Sequence, residues 1–283
     1  MSSLKFKKIY FDTKFKTPDS NSTSDFKVEL PETLFFENNS VFYVDDIAIP
    51  HSWYSVEDFN NKLYVCVFNG TSPGVPVGNT FSYIITLTNG NYTGTELASE
   101  INSKFASNIG GGYTCVYISK TNTLQIGTSD IQSKFKILTP TELKNGVSGF
   151  TLPYDKTKPN DCNEILSNLE NVSQVCDILN PYKSGYLNMQ PIRNLYLHST
   201  TLGNYNSIGP DGCQTIIKKI PVTSDYNIMI FDQCVLYNDY NDCSHQTLKT
   251  ISFQLKTSRG DIVPLHGVDI SFSIVWSRAS PDV

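Results

Sequence analysis

Between residues 268 and 276 the chain is apolar at every second position: Val268, Ile270, Phe272, Ile274 and Trp276. In a strand that spacing puts all five side chains on one face. A strand of this kind has to lay that face against a core. The same period recurs at both ends of the chain. Phe26, Val28 and Leu30 share a face in a run that Pro31 ends; Val41 to Ile49 forms a second run, closed by Pro50 and followed by Trp53 and Tyr54. Leu63, Val65 and Val67 form a third, ending at Asn69-Gly70. Further on, Leu195 and Leu197 alternate with Tyr196 and His198, Thr215 to Val222 and Asn227 to Phe231 follow, and Ile251, Phe253 and Leu255 alternate again. Short strands at this spacing predict an all-β sandwich or barrel.

The middle of the chain follows another rhythm. After Tyr83 to Leu87 and a turn at residues 89–92, Thr93 and Glu96 have the spacing of a capping box, and Leu97, Ile101 and Phe105 recur every four residues on one helical face. Gly110-Gly111-Gly112 ends that helix. Tyr113 to Ser119 and Thr123 to Ile126, joined by a polar turn at Lys120-Thr121-Asn122, predict a hairpin, with Phe135 to Leu138 as a further strand. A small α+β module is therefore expected at 75–150, inserted into the sandwich. Residues 1–74 supply an N-terminal arm and the first sandwich strands, 151–190 an irregular crossover, and 191–283 the remaining strands. A chain of 283 residues suits one core with a sizeable insertion better than two equal domains.

Composition narrows the function classes. Hydrophobic residues make up 39% and charged residues 17%, with 16 Tyr and 16 Phe, a balance that suits strands and shared surfaces and argues against disorder. The net charge of -5 argues against a protein that works by neutralising phosphates, so no specific nucleic-acid partner is expected. The one basic stretch, Lys5 to Lys16, alternates with Phe6, Tyr10, Phe11 and Phe15 and reads as an edge strand or arm with a solvated face. The 7 cysteines are scattered without CxxC pairs and read as reduced, mostly buried side chains of a protein made in a reducing compartment. No apolar leader and no run long enough for a membrane span is evident, so neither is expected.

Known chemistries find no foothold. The 4 histidines, His51, His198, His245 and His266, lack HExxH or HxH spacing and read as structural. Cys243 and His245 lie close in sequence, but a nucleophile and base also need a shared pocket. Asp45 and Asp46 point to opposite faces if they lie in a strand, a poor arrangement for a joint acid and base. Gly110-Gly111-Gly112 is followed by Tyr113-Thr114, so it is no P-loop. No catalytic residue, metal site or cofactor is expected, and the chain does not read as an enzyme. Arg259-Gly260-Asp261 spells an integrin-recognition tripeptide and is the one candidate receptor-binding turn, although a tight hairpin turn accounts for the same residues.

The segments FKKIYFD (6–12), YVDDIAIPHSW (43–53), NKLYV (61–65), LKTISFQL (248–255) and VPLHGVDISFSIVW (263–276), in that order, resemble capsid proteins of Polinton (Maverick) elements, polinton-like viruses and virophages. The likeness runs from about residue 5 to about residue 277. At this length the chain resembles the family's penton, or minor capsid, protein rather than its larger double jelly-roll major capsid protein. The resemblance implies a single jelly-roll of two four-stranded sheets, five copies around a capsid vertex, contact with major capsid protein, and a place in the virion after assembly inside the host cell. A host receptor is a further implied partner. The competing reading is a receptor- or glycan-binding β-sandwich, in which the inserted module or the loops around Tyr205 and Tyr237 to Tyr240 hold a ligand.

Overall fold

A computed structural model describes residues 6–69, 80–147, 153–168, 172–202, 207–210, 212–234 and 239–278. In chain order the strands are β1 (Phe6–Asp12), β2 (Asp25–Phe35), β3 (Ser40–Pro50), β4 (Lys62–Asn69) and β5 (Thr80–Thr86), then helix α1 (Gly94–Asn108). Next come β6 (Tyr113–Ile118), β7 (Thr123–Thr128), β8 (Ser133–Ile137), α2 (Pro140–Asn145), α3 (Asn163–Leu166) and β9 (Tyr182–Lys183). The chain closes with β10 (Asn194–His198), β11 (Ile216–Pro221), β12 (Met229–Gln233), β13 (Asn241–Asp242), β14 (Thr247–Lys256) and β15 (Ser271–Arg278). These elements form two compact units, one of Met1–Trp53 with Ile192–Val283 and one of Tyr54–Pro191.

The first unit is the expected sandwich. One sheet has the order β1-β15-β3-β12, with the two-residue β13 also on β3; the other runs β11-β10-β14-β2. Every pairing in both sheets is antiparallel. Leaving β13 aside, the first strand of the unit pairs with the last, the second with the second from last, and so on inward to the neighbours β10 and β11. That nesting is a long hairpin rolled over itself, the jelly-roll. Its core is aromatic: Phe11, Phe26, Phe253 and Phe272 touch one another with ring centroids 4.9–5.4 Å apart along the chain of contacts. Phe26 and Phe253 are direct cross-strand partners. Aromatic pairs of this geometry add about 0.5–1.5 kcal/mol each beyond the area they bury.

The alternation read at the C-terminus holds for Phe272, Ile274 and Trp276, all buried on β15. Val268 falls outside it. It is 43% exposed in a turn where His266 and Gly267 both have positive φ, and the strand begins at Ser271.

The second unit is built around β4, which pairs with β5 on one side and β8 on the other, while β6, β7 and β9 form a separate sheet. Helix α1 starts at the expected capping box, with Thr93 and Glu96 bonding each other's backbone N–H, and buries Leu97, Ile101 and Phe105. A second capping box, Thr139 with Glu142, starts α2. Cys115, Cys162 and Cys176 are buried in this core beside Val65, Ile126 and Ile137. Burial pushes the thiols of Cys115 and Cys176 up to about 12, and that of Cys162 further in the same direction.

The unit therefore begins and ends outside the 75–150 module read from sequence. Strand β4, read as a sandwich strand, belongs to this unit, because alternation shows that a face is buried without naming the sheet that buries it. The stretch read as an irregular crossover supplies α3 and β9, and its Cys176 exchanges both backbone hydrogen bonds with Phe135.

Candidate assembly surface

A sandwich of two four-membered paths leaves four edge strands, and here they fall in pairs. Strands β1 and β2 form one flank; β12 and β11 form the other. Edge strands present backbone N–H and C=O groups that no neighbour has used, so each flank is a ready template for another chain unless something covers it.

The β1/β2 flank is open. Two hollows of about 430 and 580 Å³ lie along it. The first is floored by Phe11, Leu30 and Phe272 and rimmed by Tyr10, Phe15 and Pro31; the second is lined by Phe6, Phe35, Phe36 and Trp276. Phe6, Tyr10, Phe15 and Phe35 are 56–78% exposed, an unusual number of bare aromatic rings on one flank. Among the described residues an exposed ion pair, Lys7 with Glu32, joins the two edge strands, while the β2 edge is capped at Lys27, whose carbonyl accepts from Thr17 N–H and whose N–H donates to Ser20 Oγ. Lys8 lies over the Tyr10 ring and binds Asp45 at 2.5 Å and Asp46 at 3.3 Å. The hydrogen bond that Lys8 donates to Asp45, opposed by desolvation, raises its ammonium to about 12.

The β12/β11 flank is shut. Lys218 of β11, with its side chain 7% exposed, reaches Asp232 of β12 at 3.2 Å and Asp239 at 3.4 Å. Asn241 adds donations to the carbonyls of Ile217 and Asp239. Outside this latch, Met229 and Phe231 project from the outer face of β12, opposite in direction to the buried Ile230. The turn before β12 is fixed in place: Ile228 N–H donates to Asp225, Asn227 sits at φ +64, and His51 bonds the Ser224 carbonyl at 2.8 Å while stacking on Trp53.

The residues weighed for chemistry are dispersed. Cys243 is buried and burial pushes its thiol up to about 12, whereas His245 is exposed at positive φ. Asp45 and Asp46 depart from the expected opposite faces: a bulge puts Asp46 opposite Ser273 and Val44 opposite Ile274, so Asp45 is the extra residue and both carboxylates reach Lys8. They form an ion cluster. The Cys–His pair that does form is one that the sequence did not flag, Cys213 with His198, Sγ to Nδ1 3.6 Å, with Thr215 Oγ1 2.9 Å from the same nitrogen. They are 15 residues apart and meet only because β10 and β11 pair. Among the described residues no group of His, Cys, Asp and Glu is arranged to hold a metal ion. No helix among them is long and apolar enough to cross a membrane.

Arg259, Gly260 and Asp261 lie in the turn after β14. Thr257 N–H donates to Asp261 and Gly260 N–H to Thr257, and Gly260 has φ +87, a conformation that favours glycine. Arg259 and Asp261 are half-buried. Of the tyrosines read as loop ligands, Tyr240 packs edge-on against Tyr43 at 5.2 Å; Tyr205 and Tyr237 lie outside the described residues.

No protein-family profile matches the chain, and no curated protein sequence does. Among solved structures, the crystal structure of selenomethionine-labelled mavirus penton protein is similar over 97% of this chain and 99% of its own, with a TM-score of 0.52 at 10% sequence identity. The two share a fold that includes both units.

Proposed function

We propose that this chain is a structural capsid protein that forms the penton at icosahedral vertices, five copies packing their jelly-rolls side by side. The observation that carries the reading is the end-to-end likeness to a penton protein, 97% of one chain on 99% of the other, so that the inserted unit is matched along with the sandwich. The flanks support it physically. Side-by-side packing uses two different surfaces, and it closes into a ring when the rotation per copy fits a whole number. A sandwich with one open, aromatic flank and one flank shut by the Lys218 ion pairs offers two such surfaces. In this reading the other partner is the major capsid protein, and the protein resides in the virion.

The test is the solution mass of the purified chain by light scattering over a range of concentration and salt, alone and with major capsid protein. A pentamer, or a concentration-dependent approach to one, is expected. A strict monomer that also ignores major capsid protein overturns the reading in favour of a receptor- or glycan-binding sandwich. The Arg259-Gly260-Asp261 turn is the candidate receptor contact of the penton. Asp261→Ala, which leaves Gly260 and the turn's backbone bonds in place, is expected to abolish cell attachment if the turn serves that purpose and to leave it unchanged if the turn is only a turn.

A further inference from the structure

We infer that copies of this chain meet through one particular contact, the Thr13–Lys16 turn of one copy against the Asp225–Ile228 turn of the next. The inference rests on the side-by-side reading above and adds the residues that join.

Height along the strands comes first. Asp12 is level with Ser271, Ser271 with Ala48, and Ala48 with Phe231, straight across the sheet from one edge to the other. β1 runs towards this rim and continues into the Thr13–Phe15 turn; β12 runs away from it, out of the Asp225–Ile228 turn. The two turns therefore occupy the same rim at opposite edges. Copies related by rotation about an axis parallel to the strands keep their heights, so the first turn of each faces the second turn of its neighbour.

Chemistry matches the geometry. The first turn carries Lys14 and Lys16 around Phe15, which is 78% exposed. The second carries Asp225 beside Tyr226 and Ile228, 46% and 54% exposed. From Pro221 to His245 the chain has four aspartates and neither lysine nor arginine. Both turns are held rigidly beneath their exposed tips. Asp12 accepts from Lys14 N–H, and Thr13 bonds Asp269 and Ile270; the second turn has the His51 and Asn227 contacts described above. Rigid tips lose little freedom on docking. A symmetric pairing of two first turns would instead set lysines against lysines, which like-charge repulsion disfavours.

The experiment uses the full chain in three charge variants, measured by light scattering across concentration, with thermal melting as a folding control. Lys14→Glu with Lys16→Glu is expected to weaken association by about tenfold or more, and Asp225→Lys likewise, both with unchanged melting. All three substitutions in one chain restore complementary charges and are expected to recover association. If the single-sided variants assemble as well as wild type, or the combined variant fails to recover, this contact is wrong while the vertex reading stands. If the wild-type chain stays monomeric at every concentration and with major capsid protein, the vertex reading itself falls and the contact with it.

Discussion

Where β11 approaches β12, a nearly buried lysine spans the gap to two aspartates; where β1 approaches β2, the gap is a pair of hollows with bare aromatic rims and an exposed ion pair across it. Both flanks belong to one sandwich with one aromatic core, so the difference is not a difference in folding quality. It lies in what covers the edge strands. A chain that acted alone would gain by shutting both flanks, since bare apolar edges invite association. A chain that packs head to tail needs one surface left open to receive and another finished to insert.

Four outcomes break or sharpen that contrast. The largest is at the floor of the open flank. Phe272 lines the first hollow yet is 2% exposed and contacts three other core rings, so Phe272→Ala is expected to cost about 3–5 kcal/mol in urea unfolding. A loss under about 1 kcal/mol would mean that the hollow reaches into a loose core and the flank is open by default. Next is the latch: Lys218→Ala removes a packed stem and charged hydrogen bonds and is expected to cost about 2 kcal/mol by the same measurement. Smaller is the alkaline response of Lys8. Its folded value of about 12 lies above its ordinary 10.5, so its stabilisation is complete below 10.5 and lost as pH rises through about 12. Lys8→Met should flatten that part of the stability-against-pH curve, and a curve unchanged from wild type would remove Lys8 from the account. Smallest is Lys7→Ala, which should leave the urea midpoint unmoved because its bridge to Glu32 is solvated. Should it cost as much as Lys218→Ala, the two flanks are latched alike and the contrast is gone.

Much of the sandwich was legible because period two is a local property. Phe272, Ile274 and Trp276 could be placed on a core face from spacing alone, as could the helix from Thr93, Glu96 and the four-residue recurrence after it. What spacing does not carry is partnership. Leu63, Val65 and Val67 alternate as well as any sandwich strand, and only their pairing with Ile85, Phe135 and Ile137 assigns them to the inserted unit. The same limit hid the latch, since Lys218 and Asp232 lie on strands that only the rolled topology brings side by side. It hid the Asp45 bulge too, because a single extra residue shows only against the opposite strand. The basic stretch is the edge strand that its alternation suggested, and Phe6, Tyr10 and Phe15 are exposed on it; spacing alone does not say which of its rings are bare.

The nested strand pairing also sets an order of events as the protein is made. Of the described strands β1 leaves the ribosome earliest, but its partner is β15, more than 250 residues further on, so the edge carrying Phe6 and Tyr10 waits until that strand has been made. The strand pairings described for the inserted unit close within residues 54–191, so that unit can finish folding while more than half of the sandwich strands are still to come. Sequence-distant pairings of this kind close slowly. The pairing of β15 with β1 on one side and β3 on the other is also what creates the open flank. If the proposed side-by-side packing holds, a chain that lacks β15 has no such flank to offer, and only a copy with that strand in place can join.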